Sequence, residues 1–168
     1  AGNQTSTGGN CCEILPKTDD VLVGCEMSVP FKTSRRVEFA DTDMAGLIHF
    51  VTFYRMMESV EHEMFRTLGT SVMSEDDNGN RRGWPRLSAE CEFHSPAYFE
   101  DELAICVTVE TLGRSSLTLS YEFRRDDTRI ASGRMKTVCC VVDEGGRLSS
   151  VGMPTELRAS LEKMIESE

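Results

Sequence analysis

One stretch of the chain carries a helical apolar period among runs patterned for strands, and that contrast constrains the fold more than any other feature. After Phe50, bulky apolar residues recur at Phe53, Tyr54, Met57, Val60, Met64, Phe65 and Leu68, a 3.6-residue period. Arg55, Glu58, Glu61, His62, Glu63 and Arg66 are expected on the other side, and Gly69 stands where a helix C-terminus favours glycine. Before the helix, Phe31, Thr33, Arg35, Val37 and Phe39 share one face of a strand predicted over 31–39. Behind it come four more alternating runs: Leu87 to Phe93, Leu103 to Val109, Leu117 to Phe123 and Ala131 to Val142. Alternation over this length predicts an antiparallel sheet with one solvated face, so the class is α+β with the helix packed on one side. Thr70–Gly83 reads as a polar loop, while Asp126-Asp127 and Glu144-Gly145-Gly146 mark hairpin turns. Pro154 to about Ile165 predicts a C-terminal helix with Leu157, Leu161, Met164 and Ile165 on one face.

A length of 168 residues fits one domain with a real core. Residues 1–10 are polar and Gly-rich and are expected to be disordered, whereas Cys11 to Pro30 holds short apolar pieces that could lie against the domain. The division is therefore an N-terminal extension over 1–30, partly disordered or packed on the domain, and a domain over 31–168. Eighteen basic against 28 acidic side chains give a net charge of −10, which argues against nucleic acid or an anionic membrane as the main partner. Any phosphate-rich ligand then needs a local basic patch. No run of 18 apolar residues occurs, and the first residues lack a basic-then-apolar signal pattern. Seven cysteines without CxxC or zinc-type spacing are expected to be thiols; Cys91, Cys106 and Cys139 fall in strand patterns, and a reducing cytoplasm is inferred.

The segment joining the first strand to the helix holds the chemistry. Asp41-Thr42-Asp43 and Gly46 form an acidic turn that ends at a helix N-terminus, where free N–H groups and the helix dipole favour developing negative charge. A carboxylate beside such a site suggests acyl transfer. The commoner role of Asp in this position is to cap a turn or helix, and spacing alone favours that role.

The order DTDxxG, apolar residues, then a helix with aromatic and acidic positions resembles the 4-hydroxybenzoyl-CoA thioesterase branch of the hotdog-fold thioesterases. Asp43 falls on the second Asp of that pattern, Gly46 on the Gly and Glu58 on the helix acid. Ser95-Pro96-Ala97-Tyr98-Phe99-Glu100-Asp101-Glu102-Leu103 is similar to the family's PxxxGDxL turn, with Glu100 in place of the usual Gly. The resemblance spans about residues 31–155. It implies a hotdog fold, in which an antiparallel sheet wraps the long central helix, and a homodimer or homotetramer with sites between subunits. It also implies an acyl-CoA substrate, and no metal or cofactor beyond the coenzyme A of that substrate.

On the resemblance, Asp43 is the catalytic carboxylate, as nucleophile or general base, and Asp41 keeps the capping role. The Phe50 N–H would polarise the thioester carbonyl, and Gly46 would let the chain approach the acyl group. Glu58 matches the acid that carries catalysis in other branches; holding a substrate hydroxyl, binding water and facing solvent are its other readings. His49, where the family has Trp or Tyr, is either a substrate contact or a satisfied polar residue. Gly113-Arg114-Ser115-Ser116 resembles the phosphate-binding turn, so Arg114, Ser115 and Ser116 are the coenzyme A candidates, against an ordinary hairpin Arg. Arg134 and Lys136 would add charge there, with Arg81-Arg82 a weaker suggestion. The three histidines, His49, His62 and His94, are scattered and no GxSxG occurs, so a Ser-His-Asp triad is not expected. The expected activity is acyl-CoA hydrolysis. A hotdog hydratase or dehydratase and a non-catalytic acyl-CoA-binding module are the alternatives.

Overall fold

A computed structural model describes residues 29–76, 79–143 and 145–165. The proposed extension over 1–30 therefore lies almost wholly outside the described residues. Five strands form the main antiparallel sheet in the order β1 (Phe31–Arg36), β5 (Glu102–Leu112), β6 (Ser116–Arg125), β7 (Thr128–Val138) and β4 (Arg86–Phe93). The helix α1 (Phe50–Thr67) lies on one face, where Phe53, Met57, Val60, Met64 and Phe65 are buried in one cluster with Ile105, Leu119, Tyr121 and Phe123. The expected α+β hotdog layout is what forms.

Local chemistry sets the helix ends. At the C-terminus Thr70 N–H donates to Phe65 O and Gly69 N–H to Arg66 O, with Gly69 at φ +76°, a Schellman closure that needs glycine. Inside the layer Gly133 on β7 lets Met57 approach: a Cβ there would stand 2.2 Å from the Met57 sulfur. The C-terminal helix α2 (Thr155–Glu162) is shorter than expected, with Leu157 and Leu161 buried and Ile165 beyond its end.

Four expectations need correction. The first strand ends at Arg36 rather than Phe39; Phe39 is 79% exposed in a 3-10 turn, Phe39–Asp41. The polar loop 70–83 contains β2 (Ser74–Glu75) and β3 (Arg81–Gly83), which join β8 (Cys140–Val142) and β9 (Leu148–Ser150) in a second sheet. The apolar run ending at Val142 is accordingly two strands, because Cys139 leaves the β7 ladder and its N–H donates to Ser115 O. Finally, Glu61 is not on the solvent side of α1 but is 1% exposed on its buried face. It stands four residues from both Met57 and Phe65, within the apolar stripe.

Candidate active site

The segment between β1 and α1 is stitched to the turn before β5. Val37 N–H donates to Asp101 O, Glu100 N–H to Val37 O and Ile48 N–H to Ala97 O. That turn is fixed by Asp101, whose carboxylate accepts the Tyr98 N–H at 2.7 Å and pairs with Arg125. Glu100 adopts φ +69°, the left-handed conformation for which the related pattern uses Gly.

Within the segment, Asp43 opens a tight turn. Gly46 N–H donates to Asp43 O, Asp43 N–H to Leu47 O, and Gly46 takes φ +75°. One carboxylate oxygen of Asp43, Oδ1, accepts the Ala45 N–H at 2.8 Å. The capping role weighed from the sequence is thus filled by Asp43, and also by Asp41, whose Oδ2 accepts the Glu38 N–H at 3.0 Å. Oδ2 of Asp43 has no intramolecular partner among the described residues. The side chain is exposed, and it lines neither of the two cavities described below.

His49 is the N-cap of α1: its Nδ1 accepts the Val51 N–H at 3.3 Å and its ring stacks on Phe50. The Phe50 N–H, first in the helix, has no acceptor among the described residues. Beside it opens a cleft of about 300 Å³ lined by Leu47, Ile48, Phe50, Phe53, Phe93, His94, Ser95, Pro96 and Ala97. Phe50 thus lines an apolar cleft, whereas Gly46 does not and lies just ahead of the lining residue Leu47 in the turn that Asp43 opens.

Glu58 is placed elsewhere. It faces a groove of about 580 Å³ between β1 and α1, with Arg35, Arg36, Arg55, Ser59, His62 and Arg66 among its neighbours. It stands eight residues after Phe50 on the helix, about 12 Å along the axis. The chain therefore does not bring Asp43 and Glu58 into one cavity. In the same region Arg35 binds Glu63 at 2.5 Å. Burial would raise the Glu63 carboxyl, but hydrogen bonds from Arg35 and Thr33 and the Arg35 charge outweigh it and hold the group below its usual range.

Arg114 is exposed in the β5–β6 turn, and its side chain has no ion-pair partner among the described residues. The turn is held by Gly113 N–H donating to Ser116 O, and by Ser150, whose hydroxyl donates to Ser115 Oγ at 3.0 Å. Arg158 of α2 donates to Gly113 O at 2.6 Å, which adds a second guanidinium beside the turn. Sequence reasoning missed Arg158, since 45 residues separate it from its acceptor. Arg134, expected to help Arg114, is instead held by Glu110 through two hydrogen bonds at 2.8 and 2.5 Å.

Two further polar groupings were invisible in the sequence. Glu61 binds Arg86 of β4 at 2.5 Å, with the second Glu61 oxygen and the Tyr121 hydroxyl both buried and without a hydrogen-bond partner among the described residues. Burial raises the Glu61 carboxyl, and the Arg86 charge and hydrogen bond offset only part of that. Burial and the Glu61 charge together push the Tyr121 hydroxyl well above its usual value. Separately, His94 at the rim of the apolar cleft has its Nε2 2.8 Å from Ser132 Oγ on β7.

Residues 37–161 match the profile of the thioesterase-like superfamily. A provisionally named esterase of Aquifex aeolicus is 30% identical over 77% of this chain and 95% of its own. A 1,4-dihydroxy-2-naphthoyl-CoA hydrolase of Prochlorococcus marinus is 26% identical over 62% of this chain and 71% of its own. A solved gentisyl-coenzyme A thioesterase is 26% identical, with a TM-score of 0.66 over 78% of this chain and 99% of that one.

Proposed function

The chain belongs to the thioesterase-like superfamily, and from that premise we propose that it hydrolyses an aromatic acyl-CoA to the free acid and coenzyme A. The observation that carries this reading is the unpaired Phe50 N–H at a helix start, beside an apolar cleft and one turn from the Asp43 carboxylate. A thioester carbonyl seated at the cleft mouth accepts that N–H, which stabilises the oxygen as negative charge develops. Asp43 then acts through its free Oδ2, either attacking the carbonyl to give a mixed anhydride that water opens, or taking a proton from attacking water. Neither route calls on a metal or an organic cofactor. Gly46, without a side chain, keeps the turn clear of the acyl group, and His49 fixes the helix start. Arg114, with Ser115 and Ser116, is the proposed phosphate contact of the coenzyme, and Arg158 holds that turn in place.

The aromatic class is supported by Phe50, Phe53 and Phe93 around the cleft and by the substrates for which the two thioesterase relatives are named. Glu58, in its separate groove, is assigned no part in the chemistry within one chain.

The working form is a homo-oligomer, a dimer at least. β4 is an edge strand whose apolar face α1 covers only in part: Phe93 meets Phe53, yet Leu87 is 58% and Phe93 51% exposed. Around the Asp43 turn, Phe39, Met44, Tyr98 and Phe99 are also exposed. A second copy paired along β4 would cover this surface and shield the carboxylate from bulk water. Among the described residues no helix is long and apolar enough to cross a membrane. Cys91, Cys139 and Cys140 are free thiols, in keeping with a reducing cytoplasm.

Thiol release from a panel of benzoyl-, hydroxybenzoyl-, short-chain and long-chain acyl-CoAs tests the proposal. Turnover greatest on the aromatic members is expected. Tight binding without release would make the chain a binding module, and loss of enoyl-CoA absorbance without release would make it a hydratase.

A further inference from the structure

The described residues around the cleft beside Phe50 are apolar except His94 and Ser95. The His94 imidazole is turned away from it. Its Nε2 lies 2.8 Å from the hydroxyl of Ser132, which pairs in register with Glu92 and Glu122. The next residue on β7, Gly133, faces Met57 of α1, so Ser132 and the ring it holds lie on the opposite side of the sheet. Phe93 points the other way: it stands opposite Ala131, and its ring centroid is 5.3 Å from that of Phe53 on α1. Ser95 is half-buried and its N–H is spent on Ile130 O, which leaves its hydroxyl as the one polar side-chain group of the lining. Ile48, Phe53 and Ala97 are buried and form the floor, while Phe50 and Phe93 are exposed and form the walls. The floor's own carbonyl, Ala97 O, already accepts the Ile48 N–H. At about 300 Å³ the cleft is at the small end of ligand cavities. With the thioester carbonyl on the Phe50 N–H, the far edge of an aryl ring points to this floor. A hydroxyl there loses water and gains no partner, whereas a methyl group of similar size gains by burial.

We infer that the cleft selects an aromatic acyl group with no polar group on its far edge, and that Phe93 is the residue that sets this preference. This rests on the thioesterase reading above and narrows its substrate class. It also parts the chain from the two relatives, which are named for the hydroxylated 1,4-dihydroxy-2-naphthoyl and gentisyl groups. Phe93 takes no part in cleaving the thioester. Its ring, resting on Phe53, gives the acyl ring a flat apolar wall. A hydroxyl buried without a partner lowers kcat/KM by about tenfold, and the loss falls on KM because the far edge is remote from the reacting carbonyl.

The test compares 4-methylbenzoyl-CoA with 4-hydroxybenzoyl-CoA on the full chain, since the two substituents are close in size and differ in polarity. The unaltered protein is expected to favour the methyl ester by about tenfold in kcat/KM, chiefly through KM. Phe93→Asn, which brings a donor and an acceptor to the wall, should bring that ratio within about twofold. Phe93→Leu, which keeps the wall apolar, should raise KM for both esters and preserve the ratio. A merely structural role for Phe93 would move both esters together in both variants. A parent ratio below about threefold, or a preference for the hydroxylated ester, overturns the inference, as does an unchanged ratio in Phe93→Asn. Absence of hydrolysis with every ester would defeat the thioesterase reading instead. In that case equilibrium binding of the uncleavable 4-methylphenacyl and 4-hydroxyphenacyl thioethers of coenzyme A decides: the same tenfold order supports the selectivity, and equal binding overturns it.

Discussion

Removing Arg86 should destabilise the protein in a way that shrinks as the pH falls. Its partner Glu61 has a side chain only 1% exposed, against 27% for Arg86, so Arg86→Met leaves a carboxylate in the core without its counter-ion. The cost has a ceiling, because the folded chain can escape it by protonating Glu61. At pH 7, protonating a carboxyl whose ordinary value is 4.5 costs about 3.4 kcal/mol, at about 1.36 kcal/mol per unit. At pH 5 the same escape costs only about 0.7 kcal/mol. The parent already carries part of this, since burial raises Glu61 even with Arg86 present, so the pH-dependent part stays below about 3.4 kcal/mol at pH 7 and below about 0.7 kcal/mol at pH 5. Loss of the Arg86 hydrogen bond adds about 1 kcal/mol at either pH. The expected loss is therefore larger at pH 7, at most about 4 kcal/mol, than at pH 5, at most about 2 kcal/mol.

The sign follows from proton uptake. A raised folded-state value means that the native chain binds the proton more tightly, so stability relative to the unfolded chain rises as pH falls from the folded value toward 4.5. Arg86→Met widens that window. Glu58 and His62 act on Glu61 in both proteins and cancel in the difference. Urea denaturation at the two pH values, with unchanged slope, measures it. Glu61→Gln in the Arg86→Met background should recover the pH-dependent part of the loss at pH 7 and remove the pH dependence. An equal loss at pH 5 and pH 7 would refute the reasoning.

The packing and interface readings give three more expectations. Gly133→Ala should cost about 1–3 kcal/mol by thermal denaturation, since its Cβ meets the Met57 sulfur, and Met57→Ala in the same chain should recover part of it. Glu100→Gly should gain about 1 kcal/mol, because φ +69° is strained for glutamate and free for glycine; a loss would show that the Glu100 side chain contributes there. Leu87→Lys on the uncovered β4 face should yield monomers in sedimentation and lose turnover with them, whereas an unchanged oligomer would place the interface elsewhere.

The strongly periodic elements were legible in the sequence. α1 was readable because seven apolar positions keep one phase until Gly69, and the Schellman closure there is a local property of the chain. The four long strands were readable for the same reason. β2, β8 and β9 were not, since strands of two or three residues carry no period and exist only through their partners. Glu61 was misplaced by chemical type. Its spacing from Met57 and Phe65 put it in the buried stripe, and only Arg86, 25 residues away, makes a charge tolerable there. Phe39 continued the alternation of β1 but fell after the strand had ended, in a 3-10 turn where it stays exposed with one edge against Phe99.

The site was legible in the same divided way. The turn of Asp43 and Gly46 and the helix start at Phe50 are contiguous, so their proximity follows from the sequence. Glu58 is contiguous too, yet the rotation and rise of α1 carry it into another groove. His94 with Ser132 and Arg158 with Gly113 are joined across 38 and 45 residues, distances at which no pattern speaks.

The account stands on Asp43 as the group that opens the thioester. Steady-state hydrolysis of the best aromatic acyl-CoA by Asp43→Asn, beside Glu58→Gln, tests it most directly. Asp43→Asn should lower kcat by at least about a hundredfold in a chain that keeps its fold and oligomeric state, while Glu58→Gln stays near the parent. A fully active Asp43→Asn with an inactive Glu58→Gln would contradict the assignment and move the chemistry to the helix carboxylate.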